Sequence, residues 1–214
     1  MLCVRKYFWA VASKVMIGLL LALYAISSHA ANAKTEFHSG DFAILGFELG
    51  AATLSDVMSE LGIATTLPRQ EGQDKSICYK ANGVAIVFRS GAMGGWTTLT
   101  GYTVVRLSLY KHKSLCSPLN IPAERICTGS GLCLGVKRRD ILRRFGEPDT
   151  VRGNTIHFRR FTRKKMSEEE FAQMKQQWPG LSRDDSYWDV SRYAWFSFSN
   201  DVLVSMSFRR FESY

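Results

Sequence analysis

One pattern occurs twice in this chain, and it limits the folds open to it more than any other feature. The clearer copy runs from Gly131 to Pro148 as G-L-C-L-G-V-K-R-R-D-I-L-R-R-F-G-E-P. An earlier copy begins at Gly46 as G-F-E-L-G-A-A-T-L-S-D-V-M-S-E-L-G. Both read G-x-x-L-G, a short gap, Asp, and then a segment with an apolar face closed by Gly. The copies start about 85 residues apart, room for a helix and several strands, so two related halves are expected. In each copy one glycine suits a tight turn (Gly50, Gly135) and another suits a helix stop (Gly62, Gly146). Asp56 and Asp140 fall in the first helical turn, where the helix dipole favours a carboxylate. Thr53 or Ser55 can cap the first helix, and Pro148 reinforces the second stop. Val57, Met58 and Leu61 form one apolar face; Ile141, Leu142 and Phe145 form the other.

Strand signals follow each helix. Strand candidates in the first half are Ser76–Ala81, Val84–Arg89 and Tyr102–Tyr110, and in the third Val105, Leu107 and Leu109 alternate with Val104, Arg106 and Ser108. Asn82-Gly83 is a type I′ hairpin signal between the first two. The second half predicts strands over Thr155–Phe161, Arg192–Ser199 and Val202–Arg210, with Val202, Val204, Met206 and Phe208 on one face of the last. Pro118 and Pro122 mark residues 116–126 as a linker. The expected organisation is 34–115 as the first unit and 127–214 as the second. An insertion, 163–189, has no counterpart in the first half. It opens on a capping box, Ser167-Glu168-Glu169-Glu170, and its helix stops at Pro179-Gly180.

Residues 1–33 read as a signal peptide. Arg5, Lys6 and Lys14 precede an apolar run, Val15 to Ile26, and Ala31-Asn32-Ala33 is an A-x-A cleavage site. The competing reading is an inner-membrane anchor, opposed by Lys14 within the apolar stretch. Cleavage removes three cations and no acid, so the formal charge falls from +9 to +6. Export makes nucleic acid an unexpected partner and the periplasm the expected location. Anionic lipid, lipopolysaccharide or an acidic protein surface fits the charge better. Four cysteines remain, Cys78, Cys116, Cys127 and Cys133. An even number in an exported chain predicts two disulfides, with three connectivities open. Locality favours Cys78–Cys116 and Cys127–Cys133.

The motif residues Leu49-Gly50, Asp56-Val57, Leu61-Gly62, Leu134-Gly135, Asp140-Ile141 and Phe145-Gly146-Glu147-Pro148 resemble the SmpA/OmlA (BamE-like) family. Two such units in tandem resemble the beta-lactamase inhibitor protein architecture. The resemblance implies an α+β fold of two tandem units, each a helix packed on a three-stranded antiparallel sheet, with the helical insertion in the second. It also implies a binding role without catalysis, linked to the cell envelope.

The residues themselves offer little catalytic chemistry. Ser130 lies in T-G-S-G, without the G-x-S-x-G spacing of a nucleophile elbow. Asp184-Asp185 could serve acid–base work in an envelope hydrolase, the reading opposed to binding. The histidines lack metal-ligand spacing, so neither metal nor cofactor is expected. Two basic clusters are candidates for an anionic surface. Lys137, Arg138, Arg139, Arg143 and Arg144 surround the second helix, and Arg159, Arg160, Arg163, Lys164 and Lys165 interleave with Phe158 and Phe161. Within the insertion, Trp178, Tyr187 and Trp188 are of the types enriched at interface hot spots. They are expected to contact an envelope protein partner.

Overall fold

A computed structural model describes residues 36–68, 75–92, 95 and 97–213. The expected signal peptide, 1–33, lies outside the described residues. A short hairpin comes first, β1 (Ala43–Ile44) and β2 (Phe47–Glu48), followed by helix α1 (Leu54–Leu61). The meander β3 (Lys75–Ala81), β4 (Val84–Ser90) and β5 (Gly101–Arg106) comes next, and then β6 (Ser117–Pro118). Helix α2 (Arg138–Phe145) leads into β7 (Thr150–Arg152) and β8 (Thr155–Lys165). Helix α3 (Glu168–Gln177) precedes the long pair β9 (Tyr187–Ser199) and β10 (Val202–Ser213). The result is a mixed α+β fold around one eight-stranded sheet of order β6-β3-β4-β5-β10-β9-β8-β7. Every neighbouring pair is antiparallel except β3 with β6.

The local chemistry explains the helices. Thr53 is the cap of α1: its hydroxyl accepts from the Asp56 N–H at 3.1 Å, and the Asp56 carboxylate accepts from the Thr53 N–H at 2.7 Å. That reciprocal box satisfies two otherwise orphaned donors. Ser167 and Glu170 do the same for α3. The second motif copy lacks a capping side chain at Lys137, and its Asp140 instead lies 3.6 Å from Arg143. The motif glycines Gly50, Gly62, Gly135 and Gly146 all take positive φ, between 76° and 95°. A side chain at Gly50 would also press on the Arg210 guanidinium at 3.2 Å.

The main core lies between the helices and one face of the sheet. Leu54 and Val57 of α1, and Ile141 and Phe145 of α2, are buried there. Phe145 stacks on Phe196 and leans on Phe158, so α2 is keyed to β8 and β9. A smaller core covers the opposite face of the first meander, where Leu67, Cys78, Val87, Val105 and Cys116 pack with Leu107 and Tyr110.

Four expectations change. The third strand ends at Arg106, because a 3₁₀ turn over Leu107–Leu109 folds the chain back across the sheet to form that smaller core. The expected linker begins as edge strand β6, with Tyr79 opposite Ser117. In β10 an irregularity between Leu203 and Ser205 shifts the register, so Leu203 joins Met206 and Phe208 in the main core in place of Val202 and Val204. A bulge adds one residue and flips the alternation on one side of it. The insertion is also shorter than its sequence bounds. Strands β8 and β9 continue through Lys165 and from Tyr187, and only the stretch between them departs from the sheet.

The cysteines pair as locality favoured, Cys78 with Cys116 and Cys127 with Cys133. Loop-closure entropy grows with loop length, so the 38-residue span should stabilise more than the 6-residue one. Replacing Cys78 and Cys116 with Ala is expected to cost about 2–4 kcal/mol in a urea melt, and the Cys127/Cys133 double variant less. The reverse order would refute the entropic account.

Candidate functional site

Strand alternation divides β8, β9 and β10 into two sets of side chains. Ile156, Phe158, Ala194, Phe196, Met206 and Phe208 enter the core. The opposite set faces away from the helices. It holds His157, Arg159, Phe161, Arg163 and Lys165 on β8, Tyr193 and Trp195 on β9, and Arg209 and Phe211 on β10. The 107–116 segment covers the equivalent face of the first meander. Here Phe161 remains 60% exposed. Antiparallel strands covered on one side ordinarily turn polar residues outward. These strands carry aromatics on both sides.

The outward aromatics form a ladder. The His157 and Trp195 rings stack with centroids 4.9 Å apart and planes 13° from parallel. Tyr193 stacks on Trp195 at 5.7 Å and on His157 at 5.9 Å. Phe161 and Phe211 meet Tyr193 edge-on. The Arg159 guanidinium lies 4.8 Å from the Phe161 ring centre. At the outward positions of the three strands the one acid is Asp189, which is paired with Arg163 at 3.0 Å. Arg159, Lys165, Arg209 and the neighbouring Arg152 of β7 leave the face strongly basic. An open recess of about 420 Å³ sits at the β7 end, lined by Thr150, Arg152, Thr155, His157 and Trp195.

Within the ladder the His157 imidazole is held below its ordinary range. Burial is the largest cause; Asp149 opposes it, and Arg159 and Arg152 add to it. Protonation therefore favours the unfolded chain, whose histidine titrates near about 6.5. The stability contributed is complete above that value and declines as pH falls through it toward the lower folded value. The melting temperature of the native protein should consequently drop more on acidification from about pH 7 to about pH 5 than that of a His157→Gln variant. Parallel curves would dismiss this.

The sequence-predicted basic clusters are dispersed by the fold. Arg138 pairs with Asp201 at 3.1 Å, and Arg144 reaches the buried Asp41 at 2.6 Å. Arg139 and Arg143 lie on either side of Asp140, while Lys137 sits at the N-cap of α2. Arg160 is 9% exposed and bridges to Asp149, with the Phe145 carbonyl accepting from it. Lys164 pairs with Glu170. Consecutive residues of a strand point to opposite faces, so only Arg159, Arg163 and Lys165 share the open side. The same rule separates the insertion aromatics. Tyr187, 38% exposed, borders a recess with Phe171 and Arg183, whereas Trp188 lies toward Gly50, Leu99 and Arg210. Trp178 ends α3 and is 53% exposed. They do not form one patch.

Ser130 belongs to a structural network. It donates to Asp41, which is fully buried, and accepts from Arg144, while the Tyr102 hydroxyl donates to the Asp41 carbonyl. Asp184 is exposed. Sequence reasoning missed Arg152, His157, Tyr193, Trp195 and Phe211. Their signal was present: Tyr193, Trp195, Phe196 and Phe198 put aromatics on both sides of one predicted strand.

No protein-family model matches the chain, and no curated protein matches it. Two solved structures are distantly similar. A cysteine-rich secretory protein from Staphylococcus aureus is 11% identical with a TM-score of 0.36, over 84% of this chain and 48% of that one. A candidate beta-lactamase inhibitor protein from Streptococcus mutans is 11% identical with a TM-score of 0.23, over 89% of this chain and 94% of that one. The chain thus spans about half the length of the first.

Proposed function

We propose that this chain is a non-enzymatic binding protein of the periplasm, exported by residues 1–33, which docks an acidic protein partner on the open face of β8, β9 and β10. Its two helix-and-meander halves are read as tandem SmpA/OmlA-like units that provide a rigid support. The observation that carries the proposal is the aromatic ladder edged by cations on an uncovered sheet face. Aromatic and Arg side chains are enriched in interface cores, and a basic face steers acidic partners. The absence of a role in catalysis is supported by Ser130, whose hydroxyl is engaged by Asp41 and Arg144. Contact with anionic lipid or lipopolysaccharide is the second reading, since Arg159 and Lys165 serve either surface.

Photo-cross-linking tests it. A cross-linking residue at Phe161 should capture a periplasmic protein, one at Ile63 should not, and salt should weaken the capture. Arg159→Glu with Lys165→Glu should abolish it while leaving the melting temperature unchanged. Capture that survives charge reversal would overturn the proposal. Binding of the purified chain to anionic vesicles, with no protein adduct, would move it to the lipid reading.

A further inference from the structure

We infer that the recess at the β7 edge binds a carboxylated sugar ring, with Trp195 as the stacking wall and Arg152 as the carboxylate clamp. This goes beyond the protein-docking reading and does not depend on it: the recess lies at one end of the face and shares His157 and Trp195 with the ladder, but Arg152, Thr150 and Thr155 are its own.

The size and lining fit together. A recess of about 420 Å³ falls within the range of about 300–1,000 Å³ typical of small-molecule clefts. Trp195 is half-buried and held in place by stacking on His157 and Tyr193. A wall already ordered in this way loses little conformational entropy when a ligand arrives. The face of a pyranose is a layer of C–H groups, apolar enough to lie on an indole, and its rim is a ring of hydroxyls. The recess answers that rim with Thr150 and Thr155. Thr155 and Ser197 are hydrogen-bonded to one another at 2.9 Å. A hydroxyl has one donor and two acceptor sites, so each retains capacity for a ligand hydroxyl.

Arg152 sets the charge. It is exposed, borders the recess, and forms no ion pair among the described residues. A guanidinium matches a carboxylate through two parallel hydrogen bonds, a geometry that a neutral sugar cannot use. A purely apolar ligand would leave Arg152 and both threonines unanswered, and a free inorganic anion would leave the indole unused. An acidic sugar engages all of them.

The purified chain is titrated by calorimetry and by tryptophan fluorescence with galacturonate and glucuronate, their neutral parents galactose and glucose, and glucose 6-phosphate. Saturable uronate binding is expected, at least about tenfold tighter than for either neutral sugar, a difference of about 1.4 kcal/mol. Arg152→Gln, at an exposed position, should keep the melting temperature and remove that preference. Trp195→Ala should abolish binding of every sugar; if it fails to fold, Thr155→Val, expected to weaken uronate binding, serves in its place. Absence of saturation in the tens of millimolar, equal binding of neutral sugars, or an Arg152→Gln variant that binds uronates as the native chain does would each overturn the site. Tighter binding of glucose 6-phosphate than of the uronates would overturn the carboxylate assignment. Cross-linking at Phe161 reads the protein-docking proposal separately, so either can fail alone.

Discussion

Phe208→Ala is expected to cost about 3–5 kcal/mol, the usual loss for a large ring removed from a closed core. The ring is fully buried on β10, the strand that joins the two meanders through β5. It meets Phe42 at 5.5 Å, Tyr102 at 5.4 Å and Phe196 at 5.6 Å. Its neighbours thus come from the N-terminal turn, the first meander and the second. No single side chain can relax into the space without disturbing the other two sets of contacts. At roughly 2–4 °C per kcal/mol for a domain of this size, the melting temperature should fall by on the order of 10 °C. Because β5 and β10 are hydrogen-bonded along five consecutive registered pairs, both halves should melt in one transition. A calorimetric trace with two transitions, or a loss below about 1 kcal/mol, would show that the core is not shared in this way.

Asp41→Ala should be similarly damaging for a different reason. Asp41 is inaccessible to solvent, and its carboxylate receives the Arg144 guanidinium at 2.6 Å, the Ser130 hydroxyl, and the His38 N–H at 3.0 Å. These three partners come from α2, the Cys127–Cys133 loop and the N-terminal segment. Removing the carboxylate leaves a largely buried guanidinium without its counter-charge, a change that costs about 3–5 kcal/mol in buried pairs. The double variant Asp41→Ala/Arg144→Met removes both charges and should recover much of the loss. A double-mutant cycle in urea measures the coupling. Strict additivity of the two single substitutions would show that the ion pair is not what holds these three segments together.

Much of the framework could be read directly from residues. The helix start near Thr53 or Ser55, the hairpin at Asn82-Gly83 and the box at Ser167 and Glu170 rest on interactions within three or four residues; the structure then chose Thr53, paired reciprocally with Asp56. Such signals stay intact wherever the segment is placed. The positive-φ glycines belong to the same class, since the backbone demand is local. The strands β3 and β4 were marked by the Asn82-Gly83 turn between two short apolar runs, which are buried on both faces of the sheet.

The site was less legible for reasons of the same kind. Sequence proximity grouped Arg159, Arg160, Arg163, Lys164 and Lys165 into one cluster, and a strand then sent alternate members to opposite faces. Proximity likewise joined Tyr187 to Trp188, which a single pleat separates. Arg144 looked like surface charge on α2 until a carboxylate 103 residues away reached it. The ladder of His157, Tyr193 and Trp195 depends on which residue of β8 lies opposite which residue of β9, and cross-strand register is a property of the sheet.

The helix stops, the capping box of α3, most of the strands and the short-range preference among the cysteine pairings were legible from the residues, because all of them depend on neighbours close along the chain. Only tertiary packing places the 107–116 segment over one half of the sheet, with no covering segment over the outward face of β8, β9 and β10 among the described residues. Coverage depends on where the chain returns after Arg106, and that is set by the packing of Leu107, Tyr110 and Cys116 against strands far from them in sequence. Through that packing, His157, Tyr193 and Trp195 became an outward surface.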